Sequence, residues 1–256
     1  MLHDLERGFV GHLDQLVPDL MLADDIYGRD RLSKNIREKD LGVTTKDVDW
    51  GVQYLWWNSE TQSNWWDGVI RHAFLTDHAP TIERVRAYVD VKLATQDADG
   101  YIGIYDQHLR YRHNTENGEL WAQTTLFRGL LAYYEATGER RVLTAVERAV
   151  RRTMEAYPMG ESEPFHAQAP DAGVCHGLTF TDILYQLEMM TGDHEYLDYA
   201  VFLYDDYNRQ QVPEEDIKVA NLSDPEYALA GHAVHTCEHL RTLAIAARQD
   251  PRYRQA

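Results

Sequence analysis

Basic residues and cysteines are scarce in this sequence, and both shortages limit what the protein can do. Only 25 lysines and arginines stand against 42 acidic residues, which gives a formal net charge of −17. A chain this acidic repels nucleic-acid phosphates and anionic membrane surfaces, so we predict neither as a partner. The two cysteines, Cys175 and Cys237, exclude a framework of several disulfides and fit the reducing cytoplasm, which is the compartment we predict.

Long apolar runs and flexible linkers are also missing. Residues 1–20 carry acidic side chains such as Asp4 and Glu6 and no uninterrupted apolar stretch, which predicts neither a signal peptide nor a membrane anchor. No stretch rich in Pro, Gly or Ser divides the 256 residues, so we predict a single domain over residues 1–256. Strand-like alternation is nearly absent, and residues 100–105 are the one candidate for a short extended segment.

A repeated helical pattern is what the sequence does contain. The residues around Gly138 match those around Gly192, because in both places an apolar stripe of helical spacing leads through Thr-Gly and an acidic residue into a second stripe. A glycine at such a turn supplies the positive φ that ends a helix. Two weaker copies flank these two. The repeating unit is therefore predicted to be a helical hairpin, and the fold to be all-α.

The connections between hairpins are longer than the turns within them. They occupy residues 96–118, 157–174 and 208–230, and long loops gathered at one edge of a fold commonly build a site. We therefore predict an (α/α)6-barrel-like toroid of hairpins rather than an open solenoid. Only four or five hairpins are recognisable, so we expect the toroid to be incomplete in this chain. The chain is either the N-terminal part of a larger six-hairpin barrel or is completed by a second copy, as a homo-oligomer.

The densest mixture of aromatic and polar groups lies at residues 56–68, which read Trp-Trp-Asn-Ser-Glu-Thr-Gln-Ser-Asn-Trp-Trp-Asp-Gly. Such a mixture suits a sugar site, because a sugar ring stacks on indole while its hydroxyls need amide and carboxylate partners. The alternative is that the tryptophans fill a core. The first helices of successive hairpins begin near Glu60, Glu119, His176 and His232, and this shared position favours the sugar site.

Five segments together resemble a known enzyme family. They are residues 56–68, Asp-Gly-Tyr-Ile-Gly at 99–103, Asn-Gly-Glu-Leu-Trp-Ala-Gln at 117–123, Leu-Ala-Tyr-Tyr-Glu-Ala-Thr-Gly at 131–138 and His-Ala-Val-His at 232–235. The sequence is similar to the six-hairpin glycosidases, and within them to the bacterial β-L-arabinofuranosidase-like proteins of glycoside hydrolase family 127. The resemblance implies an (α/α)6 barrel that hydrolyses glycosidic bonds of plant or bacterial polysaccharides.

The same resemblance also has gaps. Characterised members use a cysteine nucleophile, held in a zinc site of one glutamate and several cysteines, together with a glutamate acid/base. These residues lie on hairpins after the segment that resembles residues 232–235, which is close to the end of this sequence. Neither Cys175 nor Cys237 lies in a matching paired-cysteine motif, so the resemblance supplies no nucleophile and no zinc ligand. It does imply substrate contact by His232 and His176.

Glycoside hydrolysis normally needs two carboxyl groups, one to protonate the leaving oxygen and one to act as base or nucleophile. Among Glu60, Asp67, Glu116 and Glu119 we predict Glu60 and Glu119 as the catalytic pair, since each lies among Trp and amide groups. The alternative for Glu119 is a first-turn acid that the helix dipole favours. The predicted substrate-binding residues are Trp57, Asn64, Trp65, Trp66, Asp67, His113, Trp121, His176, His232 and His235.

A histidine-rich helix start raises the alternative of a metal site. His232, His235 and His239 lie three or four positions apart beside Glu238, and such spacing places side chains on one helix face. No His-Glu-x-x-His order is present, so we favour sugar contact by these histidines and predict no metal and no other cofactor.

Two further features receive structural interpretations. Cys237 falls on an apolar stripe with Leu240 and Ala244, which predicts a small core residue. The Asp-Ala-Asp-Gly sequence at residues 97–100 lacks the later ligands of a calcium loop and is predicted to be a turn.

Three functions stay open at this point. The first is a glycoside hydrolase that acts on poly- or oligosaccharides. The second is a sugar epimerase or isomerase on the same toroid, which would use His176 with His232 or His235 as acid and base. The third is a non-catalytic array of hairpins that binds carbohydrate.

Overall fold

The computed structural model describes residues 2–12, 24–33, 56–112, 118–167 and 172–255, and their regular secondary structure is helical. The α-helices are α1 (Leu2–Leu5), α2 (Trp57–Thr76), α3 (Ala79–Ala94), α4 (Glu119–Thr137), α5 (Arg140–Ala156), α6 (Ala172–His176), α7 (Phe180–Thr191), α8 (Glu195–Arg209), α9 (Val219–Leu222) and α10 (Ala233–Gln249). A π-helical turn lies at Glu6–Val10, and 3-10 turns lie at Gly177–Thr179 and Pro251–Gln255. Within the described ranges, no helix is both long enough and apolar enough to cross a bilayer.

The chain divides into two compact units. Unit 1 consists of Met1–Arg110 and Thr125–Ala149, and unit 2 of Tyr111–Thr124 and Val150–Ala256. The division falls within α4, after Thr124, and within α5, after Ala149. Each unit is described separately below.

The predicted hairpins are present, and their turns have the predicted chemistry. Helices α2 and α3, α4 and α5, and α7 and α8 follow one another with only a few residues between them. Gly138 has a φ of +71° and Gly192 a φ of +76°, so both adopt the left-handed conformation that ends a helix with little strain for glycine. Pro80 lies in the first turn of α3, where its missing N–H leaves no donor unsatisfied.

The packing of unit 1 is built on aromatic contacts between α2 and its neighbours. The indole of Trp66 stacks on the ring of Tyr88 in α3, with 4.0 Å between ring centroids and 11° between ring planes. Phe74 meets Tyr133 edge to face at 5.8 Å. The buried hydroxyl groups of Tyr27 and Ser63 are hydrogen-bonded at 2.8 Å, which ties the segment before α2 to that helix.

Residues 100–105, the candidate for a short extended segment, do not form a regular strand. Among the described residues, the β contact is a single isolated parallel bridge between Leu32 and Tyr105. The nearby Asp97 carboxylate accepts a hydrogen bond from Arg31 at 2.7 Å and a second one from Arg110. Residues 97–100 therefore form a turn whose acidic group is paired with two guanidinium groups, as the turn interpretation predicted.

The packing of unit 2 joins α7, α8 and α10. The hydroxyl groups of Thr181 in α7 and Thr242 in α10 are hydrogen-bonded at 2.8 Å inside the core. Gln249 near the end of α10 donates to Asp198 in α8 at 2.6 Å. The hydroxyl of Tyr199 in α8 donates to the carbonyl of Tyr157 at 2.9 Å. The first two bonds involve the middle and the end of α10, and they hold that helix in one register against α7 and α8.

The prediction that Cys237 is a core residue is wrong. Cys237 is exposed, and Leu240 is 44% exposed on the same side of α10. The buried residues of α10 are instead Thr236, His239, Thr242, Ile245 and Ala246. Thr236 and Thr242 have hydrogen-bond partners within unit 2, so the helix buries two hydroxyls and an imidazole while the stripe of Cys237 and Leu240 faces outward.

Candidate functional site

The tryptophan-rich stretch forms the first half of α2 in unit 1, and its residues divide between core and surface. Trp66 is buried against Tyr88, so it serves as core. Trp57 is 53% exposed and Asn64 is exposed, whereas Trp65 is half-buried with its ring edge-on to Trp66 at 5.3 Å. The core interpretation therefore holds for Trp66, and substrate contact by the more exposed Trp57, Asn64 and Trp65 stays a prediction.

Two predicted carboxylates also lie on α2. Glu60 is half-buried in the first turn, at the place predicted from the repeat. Asp67 accepts a hydrogen bond from Arg71 one turn later at 2.9 Å, and such an exposed pair is common on helix surfaces. The predicted roles of Glu60 in catalysis and of Asp67 in substrate contact stay predictions.

Glu119 begins α4 in unit 2 and is almost wholly buried. One of its carboxylate oxygens accepts a hydrogen bond from the backbone N–H of Tyr111 at 2.6 Å. Tyr111 has a φ of +54°, a conformation that a non-glycine residue keeps only when its surroundings hold it. Through this hydrogen bond Glu119 holds the backbone of Tyr111 in place. Its catalytic role stays a prediction.

An imidazole and carboxylate cluster forms the best-defined polar site in unit 2. His176, at the end of α6, and His235, in the first turn of α10, have ring centroids only 3.6 Å apart. The Nδ1–H of His235 donates to Oε1 of Glu214 at 2.8 Å, and Nε2 of His176 lies 3.9 Å from the same oxygen. We call these three residues, His176, Glu214 and His235, the imidazole cluster.

The surroundings of the imidazole cluster are aromatic. Trp121, in the first turn of α4, meets the ring of His176 edge to face at 5.5 Å. His232, the residue before α10, is exposed, and its ring lies 4.4 Å from that of His235. His239 lies one turn beyond His235 and is buried. Four predicted substrate contacts, Trp121, His176, His232 and His235, are thus brought together in unit 2.

Glu214 was missed by sequence reasoning and is central to the cluster. It lies in the long connection between α8 and α9, in the sequence Pro-Glu-Glu-Asp, which has no helical periodicity to mark it. Burial alone would raise the pKa of its carboxyl, but the neighbouring imidazoles of His176 and His235 outweigh burial and lower the pKa to about 2. Glu214 is therefore ionised at neutral pH. The available sequence signal was the acidic run within a long loop beside the predicted site.

The loop that carries Glu214 is anchored at both sides of that residue. The hydroxyl of Tyr207 in α8 donates to the backbone carbonyl of Glu214. Asp216, two residues later, accepts hydrogen bonds from the backbone N–H groups of Ala230 and Gly231 and from the hydroxyl of Thr236, at 2.7 to 2.9 Å. Asp216 thereby fixes the loop to the start of α10, the helix that carries His235.

The zinc ligands that the family resemblance implies are not found among the described residues. That zinc site needs one glutamate and several cysteines, whereas Cys175 is buried, Cys237 is exposed and neither belongs to a group with metal-ligand geometry. Within the described ranges, the group of histidines, cysteines and acids with such geometry is the imidazole cluster, which contains no cysteine. The predicted contact His113 and the candidate acid Glu116 lie outside the described residues.

Unit 2 also has an open surface cavity of about 690 Å³. Tyr111 and Tyr157 line it with their rings edge to face at 5.4 Å, beside polar residues of the loop after α5. Its aromatic floor resembles the kind of surface on which sugar rings stack. None of the predicted site residues lines it.

Comparisons with known proteins identify relatives of this chain. The family model for beta-L-arabinofuranosidase, GH127 catalytic domain, matches residues 27–253. A similar solved structure is that of a GH127 beta-L-arabinofuranosidase from Geobacillus stearothermophilus T6, with a TM-score of 0.58 and 19% sequence identity over 78% of this chain and 34% of that chain. The chain thus spans about a third of that relative's length. A search of curated proteins found no match. The likeness in structure confirms the predicted fold class, an all-α toroid of helical hairpins.

Proposed function

The chain belongs to the family of GH127 beta-L-arabinofuranosidase catalytic domains, and from this we propose that it is a glycoside hydrolase that releases β-linked L-arabinofuranose. The observation that carries the proposal is the match of the family model to residues 27–253, nearly the whole chain. The aromatic and imidazole groups at the helix starts of unit 2 support it, because they have the chemistry that sugar hydroxyls and sugar rings need.

In this proposal, the histidines contact the sugar. A neutral imidazole has one donor and one acceptor nitrogen, so it matches a hydroxyl in either direction. The ionised Glu214 accepts the Nδ1–H of His235, which fixes the tautomer of that ring and turns its other nitrogen away from the carboxylate. The exposed ring of His232 and the indole of Trp121 complete a surface on which a furanose could rest.

His176 and His235 lie too close together to act as the acid and base of an epimerase. An epimerase acid and base must flank a sugar carbon, and hydrogen-bond reach on each side requires them to be about 6 Å apart. The rings of His176 and His235 are 3.6 Å apart, so no sugar carbon fits between them. An epimerase that uses His176 with His232 and carbohydrate binding without turnover stay as alternatives.

A panel of aryl glycosides tests the proposal. We expect the purified chain to release the aryl group from the β-L-arabinofuranoside faster than from the α-L-arabinofuranoside or from D-pyranosides. Release from none of them, with the sugar still bound in a thermal-shift assay, would favour the non-catalytic alternative. Deuterium incorporation into free sugar from heavy water would instead favour an epimerase.

Substitution of the predicted catalytic pair tests the assignment of roles. In glycoside hydrolysis, loss of a general acid or base lowers kcat by about 10²-fold or more, so Glu60→Gln and Glu119→Gln should each show such a loss. The exposed Glu226→Gln variant is the matched control and should keep full activity. Unchanged hydrolysis by both active-site variants would remove the two residues from the mechanism. Because Glu119 is buried, circular dichroism of its variant must show an intact fold.

We also propose a cellular compartment and an oligomeric state for the chain. The two cysteines are free thiols, which fits the cytoplasm, where reductants keep thiols reduced. A homo-oligomer would complete a six-hairpin toroid from more than one copy, and size-exclusion chromatography with light scattering would reveal it.

A further inference from the structure

Three ligand-type side chains of unit 2 converge on one point. One ring nitrogen of His176, one carboxylate oxygen of Glu214 and one ring nitrogen of His235 all lie within 4.8 Å of one another. They come from three different parts of the sequence, namely the end of α6, the loop after α8 and the first turn of α10. Such convergence of unrelated segments is typical of a built site, whereas residues of one helix face can be neighbours by periodicity alone.

The spacing of these atoms suits a small divalent ion. Zinc binds imidazole nitrogen and carboxylate oxygen at about 2.0 to 2.2 Å, so two ligand atoms in a tetrahedral shell lie about 3.4 Å apart. The distances from Oε1 of Glu214 are 2.8 Å to Nδ1 of His235 and 3.9 Å to Nε2 of His176, which lie on either side of that value. Because the three ligand atoms lie within 4.8 Å of one another, side-chain movements on the order of 1 Å bring them to this spacing.

Two buried polar atoms in and beside the cluster are not hydrogen-bonded. Oε2 of Glu214 is buried and has no hydrogen-bond partner, and the same is true of Nε2 of His239 nearby. A buried carboxylate oxygen without a partner costs free energy that a bound cation would offset. The side chain of His176 is nearly buried, whereas those of Glu214 and His235 keep 16% and 17% exposure, which leaves one side of the group open to solvent.

We propose that His176, Glu214 and His235 form a binding site for a divalent transition-metal ion, with zinc as the preferred occupant. Two imidazoles and one carboxylate are a ligand set that zinc uses in sites with a fourth position for water or a substrate oxygen, and the open side of the cluster provides that position. On binding, the neutral ring of His235 carries its proton on Nε2 instead of Nδ1, so that Nδ1 can bind the ion. The site is distinct from the glutamate and cysteine set that the family resemblance implies, and it does not depend on the glycosidase assignment.

The contacts around the three ligands would orient them. The ring of Trp121 packs edge-on against His176, and the hydroxyl of Tyr207 holds the backbone of Glu214. Asp216 fixes the same loop to the start of α10 through Gly231 and Thr236. Such supporting contacts limit the movement of ligands and raise affinity for the ion.

Calorimetric titration with zinc chloride tests the proposal on the chain after treatment with EDTA and desalting. We expect one ion per wild-type chain, and at least about tenfold weaker binding for Glu214→Gln and for His235→Gln. His194→Gln, which changes an exposed histidine of the same unit, is the matched control and should bind as the wild type does. Wild-type affinity in both cluster variants, or no saturable binding to the wild type, would overturn the proposal.

A second measurement uses the wild-type chain alone, so its result does not depend on whether a variant folds. In a nitrogen-15 NMR spectrum of the imidazole groups, zinc should shift one ring nitrogen each of His176 and His235 at one equivalent of metal. Cobalt(II) at the same site should give the visible absorption of a tetrahedral complex. Shifts confined to exposed histidines such as His194 would show surface binding only and would contradict the proposal.

Discussion

The protonation of His239 is coupled to the folding of unit 2. Its ring is buried, and burial lowers its pKa to about 3, with the nearby imidazoles of His176 and His235 acting in the same direction and Glu214 in the opposite one. The unfolded chain binds this proton near pH 6.5, whereas the folded chain does not. The folded state therefore loses stability as the pH falls from about 6.5 towards 3.

The effect of His239 predicts a change in the pH dependence of stability. In urea denaturation with EDTA present, the free energy of unfolding of the wild type should fall more steeply between pH 6.5 and 4 than that of His239→Gln. The difference should approach about 1.4 kcal/mol per pH unit, the slope for one proton. His194→Gln, with an exposed ring, should keep the wild-type slope. Equal slopes in all three proteins would mean that His239 titrates normally in the folded chain.

The tryptophans of α2 should separate into structural and ligand-facing residues. Trp66→Ala removes a buried ring stacked on Tyr88, so we expect a loss of about 3 to 5 kcal/mol in the free energy of unfolding. Trp57→Ala removes a ring that is 53% exposed, so stability should change by less than about 1 kcal/mol while affinity for an arabinofuranoside falls. Denaturation and a titration followed by tryptophan fluorescence measure both. Similar stability losses in the two variants would contradict this division.

At the scale of residues, the sequence could predict two of the three members of the cluster as site residues. The repeat placed His176 and His232 at matching positions of successive hairpins, and His235 follows His232 by three residues. Glu214 lies in a loop whose path depends on tertiary contacts, such as the hydrogen bonds of Asp216 to the start of α10. No local pattern in the sequence encodes those contacts.

At the scale of the elements, the hairpin turns determine where helices end, and glycine is required at only some positions. Gly138, between α4 and α5, has a φ of +71°, so alanine there should cost about 1 kcal/mol. Gly68 lies inside α2, and a Cβ added there would meet no atom within 4 Å.

This contrast predicts opposite effects of one substitution within unit 1. Gly138→Ala should lower the melting temperature, and Gly68→Ala should raise it, because alanine is favoured over glycine by up to about 1 kcal/mol in a helix interior. Scanning calorimetry of the two variants is the measurement. If both changes moved the melting temperature in the same direction, the turn at Gly138 would not need a positive φ.

The elements also show where periodicity misleads. The helices and their turns were predicted well, because Gly138 and Gly192 interrupt strong apolar stripes. The buried face of α10 was predicted wrongly. The apolar stripe of Cys237 and Leu240 is exposed, and the buried residues include Thr242. Thr242 is buried because it meets the hydroxyl of Thr181 in α7. Only the tertiary structure brings that partner into place.

At the scale of the whole molecule, the fold class and the family could both be predicted from the sequence. The repeated hairpin pattern predicted the toroid class, and the motifs at residues 56–68 and 117–123 carried the resemblance that the family match over residues 27–253 confirms. The sequence does not determine the catalytic residues in the same way. Glu60 and Glu119 were chosen because each lies among Trp and amide groups in the sequence, and such neighbours do not show which carboxyl group meets the substrate.

The measurement that tests the account most directly is hydrolysis of an aryl β-L-arabinofuranoside by the wild type, by His235→Gln and by the matched control His194→Gln. We predict hydrolysis by the wild type and the control, and a kcat/KM at least about tenfold lower for His235→Gln, because the lost imidazole removes a hydrogen bond to the sugar. Absence of hydrolysis in the wild type, or equal kcat/KM in all three proteins, would contradict the account.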